Sequence, residues 1–256
     1  MRGCGPGGAG WLESWVMTVA LVTGASRGLG AAIALRLAAD GLAVAVNYHT
    51  DAAGAGRVVD AIQAAGGRAE SFAADVTDEA EVTGLVAAVG DRLGTVSVLV
   101  VNATGPQPSI PLPELSWEAH LDQLRFFVKS PTLLVQAVLP GMRERGGGRV
   151  VQIGSDIVDR RLPGMSAYLA AKSAQHALAQ VWARELGPYG ITVNVVAPGW
   201  IPVERHAGLD RSDYLNEVPL GRMGTPEDVA AAVSYLASEG GAYVTGERIT
   251  VNGGHT

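Results

Sequence analysis

Thr23-Gly-Ala-Ser-Arg-Gly-Leu-Gly30 decides the fold of this chain. The segment follows a short apolar run, Val19–Thr23, and leads straight into the alanine- and leucine-rich stretch Gly28–Ala39, so it reads as a turn between a strand and a helix. Glycines at 24, 28 and 30 permit a tight turn and let backbone approach a pyrophosphate, whose charge would rest on the helix N-terminus. A glycine-rich turn without a ligand is the alternative; the strand, turn and helix order at the start of the domain argues against it. The spacing differs from the G-x-G-x-x-G of the common dinucleotide fingerprint.

Working outward, short apolar runs alternate with longer alanine- and leucine-rich stretches, the pattern of βαβ units. Strands are expected at Val19–Thr23, Ala43–Tyr48, Ala69–Ala73, Val96–Asn102, Arg149–Gly154, Thr192–Val196 and Arg248–Val251. Helices are expected near Gly28–Ala39, Ala52–Ala65, Asp78–Leu93, Trp117–Leu139, Ser166–Leu186 and Pro226–Leu236. The fold class is therefore α/β: a single doubly wound, Rossmann-type domain over residues 18–256, with a parallel seven-stranded sheet and helices on both faces. Two stretches interrupt the rhythm, the proline-rich Thr104–Leu115 and the polar Gly199–Leu220. Both follow the carboxyl ends of strands, where open sheets bind ligands, and long loops often serve as lids. They are the substrate-contact candidates, with Ile110, Trp200, His206 and Tyr214 as side chains to line a pocket.

Composition narrows the function. The chain has 256 residues, 48% of them hydrophobic, enough for one large core. A net charge of -6 and nineteen scattered Lys and Arg residues argue against nucleic acid as a partner. Cys4 is the single cysteine, so an internal disulfide is impossible, and the five dispersed histidines show no metal-ligand spacing. No apolar run is long enough to span a bilayer, and a cytoplasmic location is expected. Residues 1–17, glycine-rich with Trp11 and Trp15, read as a disordered extension. Two alternatives are a translation start at Met17 and docking of the two tryptophans on a neighbouring subunit.

Ser166-Ala-Tyr-Leu-Ala-Ala-Lys-Ser173 carries the chemistry. Tyr168 and Lys172 stand one helical turn apart, with Cβ atoms roughly 5–6 Å from each other. An ammonium so placed favours the phenolate and brings a phenol that ordinarily titrates near pH 10 towards usable general-acid strength. Alone, the pair reads first as a surface helix face with a snorkelling lysine.

The glycine loop resembles the T-G-x-x-x-G-x-G of the short-chain dehydrogenase/reductase family, and the resemblance runs from Val19 to Gly254. Its other pieces are Asp75-Val76, Asn102-Ala-Thr-Gly105, Ser155, the Tyr168/Lys172 pair, Pro198-Gly199, Val244-Thr-Gly-Glu247 and Val251-Asn-Gly-Gly254. The resemblance implies catalysis by Ser155, Tyr168 and Lys172: Tyr168 gives a proton to a carbonyl oxygen as hydride arrives, Ser155 hydrogen-bonds that oxygen, and Lys172 holds the nicotinamide ribose. It implies cofactor contacts from Gly24, Ser26, Arg27, Gly28, Leu29, Gly30, Tyr48, His49, Asp75, Val76, Asn102, Ala103, Pro198, Gly199 and Ile201, besides Tyr168 and Lys172. Where an acidic residue after the second strand would accept a ribose 2′-OH, this chain has Asn47-Tyr48-His49-Thr50, and Asp51 comes too late. With Arg27 available to pair with a 2′-phosphate, NADP(H) is expected over NAD(H).

Two positions depart from the family pattern. Phe127 stands where many members carry a helix asparagine that anchors a water linked to the lysine, with Gln123, Arg125 or a direct solvent path as candidate substitutes; the distance from Trp117 suggests an irregularity in that helix. Val203 stands where a threonine often bonds the nicotinamide carboxamide, leaving the backbone of Ile201 for that bond. The expected function is NADPH-dependent reduction of a ketone or β-ketoacyl carbonyl, in the manner of β-ketoacyl carrier-protein reductases. The alternatives are an NAD-linked alcohol or sugar dehydrogenase and a nicotinamide-binding sensor without turnover. The resemblance also implies a homotetramer, for which Trp117–Leu139 and Ser166–Leu186 supply long apolar helices; a buried intramolecular face is their other use.

Overall fold

Parallel strands covered on both faces must be apolar on both, and β1 (Val19–Val22), β2 (Ala43–Tyr48) and β4 (Val96–Val101) are: nearly every residue in them is buried. The computed structural model describes residues 18–204, 208 and 210–255, so the expectations placed on residues 1–17 and on His206 lie outside the described residues. With β3 (Ala69–Ala73), β5 (Gly148–Ile153), β6 (Ile191–Pro198) and β7 (Arg248–Val251), these strands form one seven-stranded sheet among the described residues, in the order β3-β2-β1-β4-β5-β6-β7. All six strand pairings are parallel.

One face of the sheet is covered by α1 (Gly28–Ala39), α2 (Ala52–Ala64) and α9 (Pro226–Ala237), through Ile33, Leu37, Ile62, Val233 and Leu236. The other is covered by α3 (Glu79–Arg92), α5 (Ser130–Glu144) and α7 (Ser166–Leu186), through Leu85, Val89, Leu134, Met142 and Leu186. The strand order reverses between β1 and β4, and the carboxyl ends of strands at such a reversal are the usual ligand position of these sheets.

Two local expectations need correction, and one further element is new. The stretch Trp117–Leu139 is not one helix: α4 (Trp117–Leu124) passes through a π-helical segment, Arg125–Lys129, into α5, which continues to Glu144. The irregularity foreseen there is this extra-wide turn, a feature that often marks functional sites. Gly199–Leu220 is not all loop, because α8 (Ser212–Glu217) lies within it and buries Tyr214. A four-residue helix, α6 (Ile157–Arg160), also follows β5, too short to leave a periodic signature.

Candidate active site

The phosphate loop is held by its neighbours before any ligand arrives. Gly24 and Gly28 have φ of +61° and +55°, a left-handed region that a Cβ disfavours. A Cβ on Gly24 would lie 2.9 Å from the Ala103 Cα, and one on Gly30 would run into the Gly24 carbonyl and the Asn102 amide. Asn102, just after β4, donates from Nδ2 to the carbonyls of Thr23 (2.9 Å) and Gly24 (3.1 Å), tying the loop across the reversal point. Asn47 at the end of β2 accepts from the Gly24 N–H at 3.2 Å and donates to the carbonyls of Phe72 and Ala74.

The loop leaves donors free for an anion. Side chains cap α2, α3, α4 and α9, namely Asp51, Asp78, Ser116 and Thr225. Arg27, at the corresponding place before α1, makes no such bond, so the first N–H groups of α1 face the crevice without a side-chain acceptor. Asp51 accepts from the Gly54 N–H at 2.9 Å and is engaged in capping α2.

A cavity of about 800 Å³ opens above this loop. Every described residue singled out for catalysis or cofactor contact lines it, from Gly24, Ser26, Arg27, Gly28, Leu29 and Gly30 through Tyr48, His49, Asp75, Val76, Asn102 and Ala103 to Ser155, Tyr168, Lys172, Pro198, Gly199 and Ile201. Of the proposed substrate contacts, Trp200 lines it; Ile110 and Tyr214 do not. Tyr214 instead accepts the Trp200 N–H at 2.8 Å and stacks on His255 with ring centroids 4.6 Å apart, so it supports the loop from behind. Val203 is also at the wall, together with Glu204, Asp156, Arg160, Gln107 and Phe126, which sequence reasoning missed. Phe126 comes from the π-helical segment and the others from loops and from α6, whose course no motif announces.

Around Lys172 the chemistry is concentrated. Helix α7 carries Tyr168 and Lys172 on one face, and Ser155 sits at the end of β5, where its Oγ accepts the Ile157 N–H at 3.2 Å. The Lys172 side chain is only 5% exposed, and burial pushes its ammonium well below the ordinary lysine value. Its Nζ donates to the Ile153 carbonyl at 2.7 Å and to Gln175 Oε1 at 3.1 Å. It also lies 3.7 Å from the centre of the Phe127 ring and 5.8 Å from that of Tyr168. Phe127 in turn meets Tyr168 edge-on, with centroids 5.4 Å apart and planes at 72°.

Neither suggested substitute for the helix asparagine reaches this lysine by a recorded bond. Gln123 donates to the Pro106 carbonyl at 2.9 Å, and Arg125 pairs with Asp122 at 2.6 Å. The polar side chain that does meet Lys172 is Gln175, one turn further along α7; its i, i+3 spacing from Lys172 was the available signal. Beside Ser155, burial pushes the Asp156 carboxyl above its usual range against the opposing charge of Arg160.

The chain is similar to known proteins along nearly its whole length. A family model described as enoyl-(acyl carrier protein) reductase matches residues 24–256. The 3-oxoacyl-(acyl-carrier-protein) reductase of Pseudomonas aeruginosa is 38% identical over 239 residues, covering 92% of this chain and 96% of the relative. A short-chain dehydrogenase/reductase from Serratia marcescens superposes with a TM-score of 0.87 at 34% identity, over 93% of this chain and 97% of that one. A blue fluorescent protein from a metagenomic library, solved in complex with NADPH, gives a TM-score of 0.87 at 37% identity, over 93% and 98% of the two chains. A sheet reversing at a glycine-rich loop, a tyrosine and lysine paired on α7, and likeness along nearly the whole length have one common explanation: the chain belongs to the short-chain dehydrogenase/reductase family of oxidoreductases.

Proposed function

We propose that this protein reduces a ketone or β-ketoacyl carbonyl to an alcohol with NADPH, using Tyr168 as the general acid. The observation that carries the reading is that one cleft is lined by Ser155, Tyr168 and Lys172 as well as by a glycine loop whose helix N-terminus lacks a side-chain cap. When bound, the nicotinamide supplies a hydride to the carbonyl carbon. The chain does the rest. Tyr168 gives its phenolic proton to the carbonyl oxygen, Ser155 donates a hydrogen bond to that oxygen as charge develops on it, and Lys172 favours the phenolate left behind. Hydride and proton together convert C=O to CH–OH.

NADPH is favoured over NADH by the neutral residues after β2, by the engagement of Asp51 in capping α2, and by exposed Arg27 as the cation within the loop itself. The structural neighbour solved with NADPH supports the same choice, and the relative named for 3-oxoacyl reduction supports a β-ketoacyl carbonyl as the substrate class. The test is NADPH oxidation against β-ketoesters, quinones, simple ketones and an enoyl thioester, with NADH in parallel. Turnover of a carbonyl substrate that Tyr168→Phe abolishes while NADPH still binds is the expected result. A clear preference for NADH, or turnover of the enoyl thioester alone, defeats the proposal. Tight cofactor binding without turnover points to the second reading, a nicotinamide-binding sensor, which draws on Phe127 and Val203.

A further inference from the structure

A lysine ammonium carried into the protein interior loses its hydration and must find acceptors there or give up its proton. Lys172 has given up nearly all contact with solvent, and the groups around its Nζ are few: the Ile153 carbonyl, Gln175 Oε1 and the ring face of Phe127. Only one of these is a polar side chain. Gln175 is itself 1% exposed, and the orientation of its amide follows from chemistry, since an ammonium can donate to the amide oxygen and not to the amide nitrogen. The Phe127 ring adds its negative face, and a cation over an aromatic ring gains most where water is excluded, as it is around a phenylalanine only 3% exposed. The π-helical segment supplies this ring, and its wide turn brings Phe127 against both Lys172 and Tyr168.

We propose that Gln175 is a positioning residue for Lys172: its amide oxygen, with the ring face of Phe127, holds the buried lysine as an ammonium, and that retained charge makes Tyr168 acidic enough to donate its proton. A neutral amine at the same place would leave Tyr168 an ordinary phenol. The inference rests on the proposed role of Tyr168 and extends it to two residues that touch neither substrate nor reacting atoms. Charged groups and histidines on the elements packed around α7 are Asp159 and Arg160 on α6 with Asp156 just before it, Glu118, His120 and Asp122 on α4, Arg125 and Lys129 in the π-helical segment, and His176, Arg184 and Glu185 on α7 itself. None contributes to the displacement of Lys172, whose cause is burial; on this proposal the two acceptors and the ring face around Nζ work against it.

The experiment titrates the Tyr168 phenol by ultraviolet absorbance of the phenolate, taking each protein minus its Tyr168→Phe counterpart so that the other five of the six tyrosines cancel. Gln175→Met keeps the length and removes the acceptor. The Tyr168 midpoint is expected below the ordinary tyrosine value in the native chain and higher by about one pH unit, tenfold in the ionisation constant, in Gln175→Met. An unmoved midpoint in a folded Gln175→Met protein means that the glutamine merely fills the core, and overturns the proposal. So does a native midpoint at the ordinary value. If Gln175→Met does not fold, Phe127→Leu takes its place: an upward move is expected, and no move overturns the idea. The titration requires no turnover, so an inactive substrate panel and an unmoved phenol are separate results.

Discussion

Lys172 combines a cost in stability with the chemical role proposed for it. Burial places its folded-state pKa below the unfolded value, so between the two the unfolded chain binds more protons. In that window stability rises with pH; below it the full penalty of burying the ammonium applies. Urea unfolding of the native chain and of Lys172→Met from pH 7 to 10 is therefore expected to show the native chain gaining on the variant as pH rises. A constant difference would sink this account. The role proposed for Arg27 towards the cofactor belongs to the same scale. Arg27→Ala is expected to lower catalytic efficiency with NADPH by about tenfold or more, the value of a charge-assisted contact, and to leave NADH nearly unaffected. Equal losses with both cofactors would remove Arg27 from 2′-phosphate recognition. Tyr168, Lys172 and Arg27 were all legible in the sequence, because motif order and helical spacing place them. Gln175 was not, because its role depends on Lys172 folding back towards β5, a course that spacing alone does not dictate.

At the scale of elements, two helix starts work in opposite ways. Helix α1 begins without a side-chain cap and against backbone that has no room for a Cβ at Gly30. Gly30→Ala is expected to cost about 1–3 kcal/mol, the usual range for overpacking, and to weaken NADPH binding as the loop shifts. Unchanged melting and affinity would mean that the loop yields without loss. Helix α9 begins with a full capping box, in which Thr225 accepts from the Asp228 N–H and Asp228 accepts from the Thr225 N–H. Thr225→Ala is expected to cost about 1 kcal/mol in thermal or urea unfolding. Arg222 hydrogen-bonds the Asp228 carboxylate and holds its pKa at about 2, below the ordinary 3.8. The stability from that shift is present above pH 3.8 and lost as pH falls through 2; it is small because the pair is largely exposed. Acid unfolding of Asp228→Asn between pH 4 and 2 should therefore be shallower than that of the native chain, and an identical slope would count against the pair. The strands and most helix limits were legible because buried valine runs and amphipathic stretches carry their own periods. The π-helical segment was only suspected, since a one-residue widening leaves almost the same apolar pattern as a continuous helix.

For the molecule as a whole, two apolar layers close on the sheet and leave its carboxyl end as the ligand crevice. No helix among the described residues is long and apolar enough to cross a membrane, and no group of His, Cys, Asp or Glu among them could hold a metal ion. Trp117 on α4 and Val181 on α7 are exposed apolar side chains on the two helices proposed to pair between subunits, 67% and 50% accessible in the single chain. A homotetramer that covers them is expected to sediment as such at micromolar concentration, and Trp117→Lys with Val181→Lys to shift it towards smaller species. A native chain that sediments as a monomer would overturn the assembly.

Thr23–Gly30, the alternation of apolar runs and the ordered pieces from Asp75 to Gly254 determined by themselves the parallel α/β fold, the ligand crevice and the membership of Tyr168, Lys172 and Ser155 in one cleft. Local sequence carries such information because turns, strands and helix faces are short-range consequences of residue type. Only the tertiary structure decided what surrounds Lys172, which loop residues reach the cleft, and that Tyr214 supports the loop rather than lining it. Those outcomes are set by side chains that meet across elements distant in sequence, and by a widened turn whose effect appears only once α4, α5 and α7 pack together.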